Sequence, residues 1–214
     1  MLKLFKKIPV LCAIVDAETA ARAGWNVIDL SSAFLAGGAR LLQLRAKQAS
    51  GAWMLDAASA LVERTHAAGG QLIVNDRADI AQLSNADGVH VGQDDLTPAN
   101  ARRIVGDAAL VGHSTHTESQ VDAALADPIS YLAIGPIYGT ATKSTGYDPL
   151  GVEGVRMAAA RAHVRGLPVV AIGGITLDRA PDLIRAGADC VAVIADLLDG
   201  DPEKRVRAYI AACV

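Results

Sequence analysis

Aromatic residues make up only 4% of this 214-residue chain, and neither sign of charge dominates, with 20 Lys and Arg against 23 Asp and Glu. That balance leaves no general attraction for nucleic acid or an anionic membrane, so any anionic ligand must be held by local charges. Cysteine is scarce. Cys12, Cys190 and Cys213 show no CxxC or metal-type spacing, and two of them sit in apolar runs that read as strands. This fits structural thiols in a reducing cytoplasm. No apolar stretch approaches the ~20 residues of a membrane span. The segment MLKLFKKIPVLCAIVDAE has the lysines and apolar run of a short export signal. The run covers only Ile8 to Val15, ends at Asp16 and lacks a small-x-small cleavage site, so it reads as a first strand.

What is present is 51% hydrophobic residues with 20% charged ones, ample for a core and contrary to disorder. Short runs rich in Val, Ile and Leu alternate with longer Ala-rich segments of helical period. The strands are expected at Val10–Val15, Leu41–Leu44, Gln71–Val74, Gly88–Val91, Leu110–Gly112, Tyr131–Ile134, Val169–Ile172 and Cys190–Ile194. Helices are expected near 26–37, 52–68, 77–83, 98–105, 117–126, 151–164, 177–186 and 202–212. Thr97-Pro98 signals a capped helix start, Thr117 to Gln120 fits a capping box, and Thr176 is a further candidate cap. The alternation, with near-continuous apolar strands and no interdomain linker, points to one parallel (β/α)8 TIM barrel over residues 1–214. A doubly wound open sheet is the alternative.

In such a barrel the C-terminal strand ends line the site, whereas the other end serves stability. After strand two, Gln43, Arg45 and Lys47 alternate and so project to one face. After strand three stand Asn75 and Asp76, and after strand four Gln93, Asp94 and Asp95. Strand five ends in His113-Ser114-Thr115-His116, strand six runs into GPIYGTATKST, and strand seven ends in Gly173-Gly174. Arg45 and Lys47 read either as solvated charges or as phosphate binders, and two uncompensated like charges favour the second. Asp76 and Asp95 read either as a cap and a turn residue or as carboxylates for Mg²⁺, a hard cation that completes its shell with water and phosphate oxygens. His113 and His116 lack zinc-helix spacing, and His116 reads as a hydrogen-bonding partner of a neighbouring loop. Ser114 lacks the setting of a nucleophile elbow, and donating a hydrogen bond to phosphate is its more economical role. The loop holding Thr140, Thr142 and Lys143 between Gly135, Gly139 and Gly146 reads as a solvated turn or as an anion-binding lid.

Together, QLRAK, IVNDR, DGVHVGQDDL, GHSTHT, GPIYGTATKS and VVAIGGIT…AGADCVAVI resemble the thiamine-phosphate synthase family from about Val10 to Leu198. The resemblance implies a TIM barrel that joins hydroxymethylpyrimidine diphosphate to hydroxyethylthiazole phosphate, releasing pyrophosphate by dissociative substitution with Mg²⁺. It also implies roles. Gln43 and Asn75 would face the pyrimidine, and Arg45 and Lys47 would clamp the diphosphate. Asp76 and Asp95 would hold the metal, and Ser114 and Lys143 the leaving pyrophosphate. Thr140, Thr142, Gly174 and Ile194 would form the thiazole-phosphate pocket. The chain departs from the family pattern at Ala46, at Gly139, and at Ala195-Asp196, where a serine is common. Two other readings stand beside this one: a thiazole tautomerase with His116 as base, and a catalytically silent phosphate-ligand barrel. The expected partners are these small molecules, with no nucleic acid or membrane. A homo-oligomer is left open.

Overall fold

Alternating columns of side chains decide this architecture. The computed structural model describes residues 7–139 and 146–214. Its strands are β1 (Leu11–Asp16), β2 (Leu41–Arg45), β3 (Gln71–Asn75), β4 (Gly88–Val91), β5 (Leu110–Thr115), β6 (Tyr131–Ile134), β7 (Val169–Ile172) and β8 (Cys190–Val193). Each pairs in parallel with the next, and β8 closes on β1. The closed (β/α)8 barrel expected from the sequence is therefore observed.

One column of each strand packs outward against helices. Leu42, Leu44, Leu72, Val74, Val89, Val111, Leu132, Val169 and Val191 lie in this outer core, with Phe34, Leu61 and Tyr209 from the helices. The other column fills the barrel with Cys12, Ile14, Leu41, Ile73, Leu110, Tyr131, Val170 and Cys190. Burying each large aliphatic side chain contributes about 1.5–3 kcal/mol, which is why both columns are mostly apolar below the C-terminal strand ends, Gln71 at the start of β3 being an exception. Burial pushes the Cys12 thiol up to about 12 and the Cys190 thiol well upward, so both are inert, protonated packing groups.

The helices are α1 (Ala17–Arg22), α2 (Val27–Ala36), α3 (Gly51–Ala67), α4 (Ala78–Leu83), α5 (Pro98–Val105), α6 (Glu118–Ala124), α7 (Gly151–Ala162), α8 (Ala180–Arg185) and α9 (Pro202–Ala212). The Thr97 hydroxyl accepts from Asn100 N at 3.3 Å and that of Thr117 from Gln120 N at 3.2 Å, as their spacing implies. Three expectations are corrected. Helix α1 was not foreseen; Asp16 starts it by accepting from Thr19 N at 2.8 Å. Helix α8 begins later than residue 177, because Thr176 donates its hydroxyl to Asp178 instead of capping. Strand β5 continues to Thr115, so Ser114 belongs to the barrel wall.

Candidate active site

Near the C-terminal strand ends the inward column changes from apolar to polar. Gln43 follows Leu41, Asn75 follows Ile73, and Ser114 follows Leu110 and Gly112, each two residues further along its strand. In register, Ile14 pairs with Gln43, Asn75 with His90, and Ser114 with Ala133. Ile14, Gln43, Asn75, His90 and Ser114 floor a cavity of about 530 Å³ lined also by Arg45, His116, Gly135, Gly173, Gly174, Arg179 and Ile194. Of the expected site residues, Gln43, Arg45, Asn75, Ser114, Gly174 and Ile194 therefore meet in one cavity. Thr140, Thr142 and Lys143 lie outside the described residues.

Lys47, Asp76 and Asp95 form a group beside this cavity rather than in its lining. Lys47 Nζ lies 2.5 Å from Asp76 Oδ2. Asp76 is also in side-chain contact with Asp95, and its carboxyl is raised above the usual range, first by burial and then by that neighbour, against the lowering pull of Lys47. Its backbone is left-handed, with φ +63°, a conformation that costs a residue other than Gly about 1–3 kcal/mol and clusters at functional sites. Asp76 does not cap α4, whose start has no side-chain cap. Asp95 does hold a turn, accepting from Gly92 N at 2.9 Å.

The two cations are not left to repel each other. Arg45 pairs with Asp16, a carboxylate only 2% exposed. Lys47 has Asp76. On the opposite wall Arg179 lies 4.5 Å above the Tyr138 ring and donates to Gly174 O at 3.3 Å. Gly173 and Gly174 have φ +102° and +62°, and a Cβ on Gly174 would fall 2.5 Å from Gly139 O, so only glycine brings this backbone against the β6 loop. Asp196 also lines the cavity, where its charge is paired with Arg205, which donates to it at 2.8 and 3.1 Å, and with the Tyr209 hydroxyl.

Histidine roles separate by column. His113 faces outward and is buried beside Gln93, 3.1 Å away, and burial lowers its basicity. His116 bonds Gly135 O and stacks on Tyr147 at 4.3 Å, the loop contact its position suggests. His90 was not singled out from sequence, although it shares the inward phase of Gly88 in GVHV. Its Nε2 lies 2.8 Å from Ser114 Oγ and its Nδ1 3.0 Å from Tyr131 Oη.

Residues 11–197 match the family model described as thiamine monophosphate synthase. A thiamine-phosphate synthase from Chlorobium luteolum is 40% identical over 204 residues, covering 95% of this chain and 92% of the relative. One from Chloroflexus aurantiacus is 46% identical over 182 residues, covering 85% and 82%. The solved thiamine phosphate pyrophosphorylase from Pyrococcus furiosus superposes with a TM-score of 0.85 at 25% identity, covering 96% of each chain.

Proposed function

The chain belongs to the thiamine monophosphate synthase family, and we propose that its cavity joins the pyrimidine diphosphate to the thiazole phosphate by a dissociative substitution. It acts as a transferase in thiamine biosynthesis on small-molecule substrates. One observation carries the assignment of roles: Gln43 and Arg45 of β2, Asn75 of β3 and Ser114 of β5 line a single cavity at the C-terminal strand ends.

In this reading Gln43 and Asn75, both buried amides, orient the aminopyrimidine through directional hydrogen bonds. Arg45 and Lys47 hold the diphosphate, and Ser114 donates to its departing oxygen. Arg45 has N–H donors enough to reach phosphate while still paired with the buried Asp16, and Lys47 moves from Asp76 onto phosphate, so both carboxylates keep the cations poised before the substrate arrives. The backbone of Gly173 and Gly174, with Arg179 beside it, receives the thiazole phosphate. Holding both reactants in line and neutralising the leaving group supply the catalysis, and no protein nucleophile is required.

Asp76 and Asp95 fit Mg²⁺. Their carboxyls touch, burial and Asp95 raise the Asp76 carboxyl even with Lys47 beside it, and Mg²⁺ takes one or two carboxylates together with substrate phosphates. Among the described residues no group of three or more His, Cys, Asp or Glu could hold a metal, which suits an ion that takes its remaining ligands from water and substrate. The ion would supply positive charge to the leaving pyrophosphate. No helix among the described residues is long and apolar enough to cross a membrane, and cytoplasmic action fits the buried, unpaired cysteines.

Incubating the purified protein with both substrates and Mg²⁺ should yield thiamine phosphate and pyrophosphate in equal amounts, with chelation stopping turnover. No thiamine phosphate from these substrates, together with isomerisation of thiazole carboxylate phosphate supplied in a parallel incubation or with no product in either, would overturn the reading.

A further inference from the structure

Tyr131 occupies the barrel interior where the other side chains are apolar or thiols: Cys12, Leu41, Leu110, Val170 and Cys190. It fits because position 112 is glycine, where a Cβ would stand 2.0 Å from the phenol ring. The sequence thus gives up one interior side chain to admit a tyrosine, and the hydroxyl it brings lies 3.0 Å from His90 Nδ1. The two rings lie at 5.6 Å and 24°. On the other side of the imidazole, Nε2 meets Ser114 Oγ at 2.8 Å. Ser114 and His90 both line the cavity, while Tyr131 is sealed beneath.

We propose that Tyr131 is a positioning residue that fixes the proton of His90 on Nε2, so that Ser114 accepts from the ring and turns its own hydroxyl proton toward the substrate. This rests on the reading above, in which Ser114 faces the departing diphosphate.

A neutral imidazole has one donor and one acceptor nitrogen. Burial raises the Tyr131 phenol far above its ordinary value, and the neighbouring Cys12 and Cys190 push the same way, so its proton stays on. A buried phenol proton needs an acceptor, and Nδ1 is within reach. Once Nδ1 accepts, Nε2 carries the hydrogen and donates to Ser114 Oγ. The serine then has its own proton to give to an anion. With the opposite tautomer Ser114 would donate to the ring and present lone pairs to the diphosphate, a repulsive contact. That opposite wiring is the arrangement of a nucleophilic serine, whose histidine takes its proton. The phenol beneath the ring sets the direction against it.

The test begins with the unaltered protein. With ¹⁵N-labelled histidine, and the His90 signals assigned by their loss in His90→Gln, the ring is expected protonated on Nε2. Protonation on Nδ1 overturns the proposal without any variant. Tyr131→Phe keeps the ring in its place over Gly112 and removes only the hydroxyl. It should shift His90 toward the Nδ1-protonated form and lower kcat about tenfold, the effect of one neutral hydrogen bond lost in the transition state. KM for both substrates should stay near the parent values. Parent turnover with an unchanged ring spectrum contradicts the proposal. Ser114→Ala separates the two layers of the argument. Full turnover in that variant removes Ser114 from the chemistry and the catalytic consequence of Tyr131 with it, whereas the ring spectrum judges the tautomer by itself.

Discussion

Lys47 and Asp76 face each other at the ends of adjacent strands, with Nζ 2.5 Å from Oδ2. The lysine at the end of β2 and the left-handed aspartate after β3 form a pair that a diphosphate and its cation can separate, each partner taking a new charge. That pairing keeps both groups in place while the site is empty of substrate.

Asp76→Asn tests this. Asn tolerates the left-handed backbone, so the fold should survive, while turnover should fall by on the order of 10²–10³, as for other lost transition-state contacts. Titration adds a second signature. Asp76 has a raised carboxyl, so the folded state binds its proton more tightly than the unfolded chain. That contribution is complete below the ordinary aspartate value and is lost as pH rises through the raised one. The melting temperature of the parent relative to the variant should therefore decline from acid pH toward neutrality. A parent that gains on the variant over that range would contradict the assignment.

Arg45 has two tasks that can be separated. Arg45→Ala strands Asp16 in the interior, and unfolding in urea should show a loss of about 3–5 kcal/mol. Asp16→Asn/Arg45→Ala should recover most of that stability and none of the turnover. Recovered activity in the double variant would remove Arg45 from the site.

Gly174→Ala would force a Cβ to within 2.5 Å of Gly139 O at φ +62°. The expected results are a stability loss of about 1–3 kcal/mol from the strained backbone and a raised KM for the thiazole phosphate, with KM for the pyrimidine diphosphate unchanged. Steady-state kinetics with each substrate varied in turn decides between a local phosphate site and a general defect.

Asp196 lines the cavity, where a negative charge threatens a phosphate, yet Arg205 and the Tyr209 hydroxyl pair with that charge. Asp196→Ala should cost about 1–3 kcal/mol, because two donors lose their acceptor. KM for the thiazole phosphate should stay close to that of the parent. A marked fall in KM would mean that the aspartate does repel the substrate.

Much of this was legible before any coordinates. Alternation of apolar runs and helical segments gave the barrel, the two-residue repeat after strand two put Gln43 and Arg45 on one face, and Asn75 was expected at the site only from its place after strand three, whereas it belongs to β3 itself. His90 obeys the same repeat but sits inside an apolar run, where it reads as part of the strand. The Asp16–Arg45 pair escaped notice because it needs the register of β1 on β2, which no local pattern contains. Arg179 was invisible for a similar reason: its approach to Tyr138 depends on how the loops after β6 and β7 meet. Ser114 was expected at the site, where it lies, but not in the strand, since the polar residues of HST disguise a strand that continues. Isolated polar positions in phase with an apolar column were the signal that could have found His90.

The most direct test of the central claim is anomalous diffraction from crystals grown with pyrophosphate and Mn²⁺ in place of Mg²⁺. One manganese peak is expected between Asp76 and Asp95, with pyrophosphate reaching Arg45, Lys47 and Ser114. A peak elsewhere, with pyrophosphate remote from Arg45 and Ser114, would contradict the account.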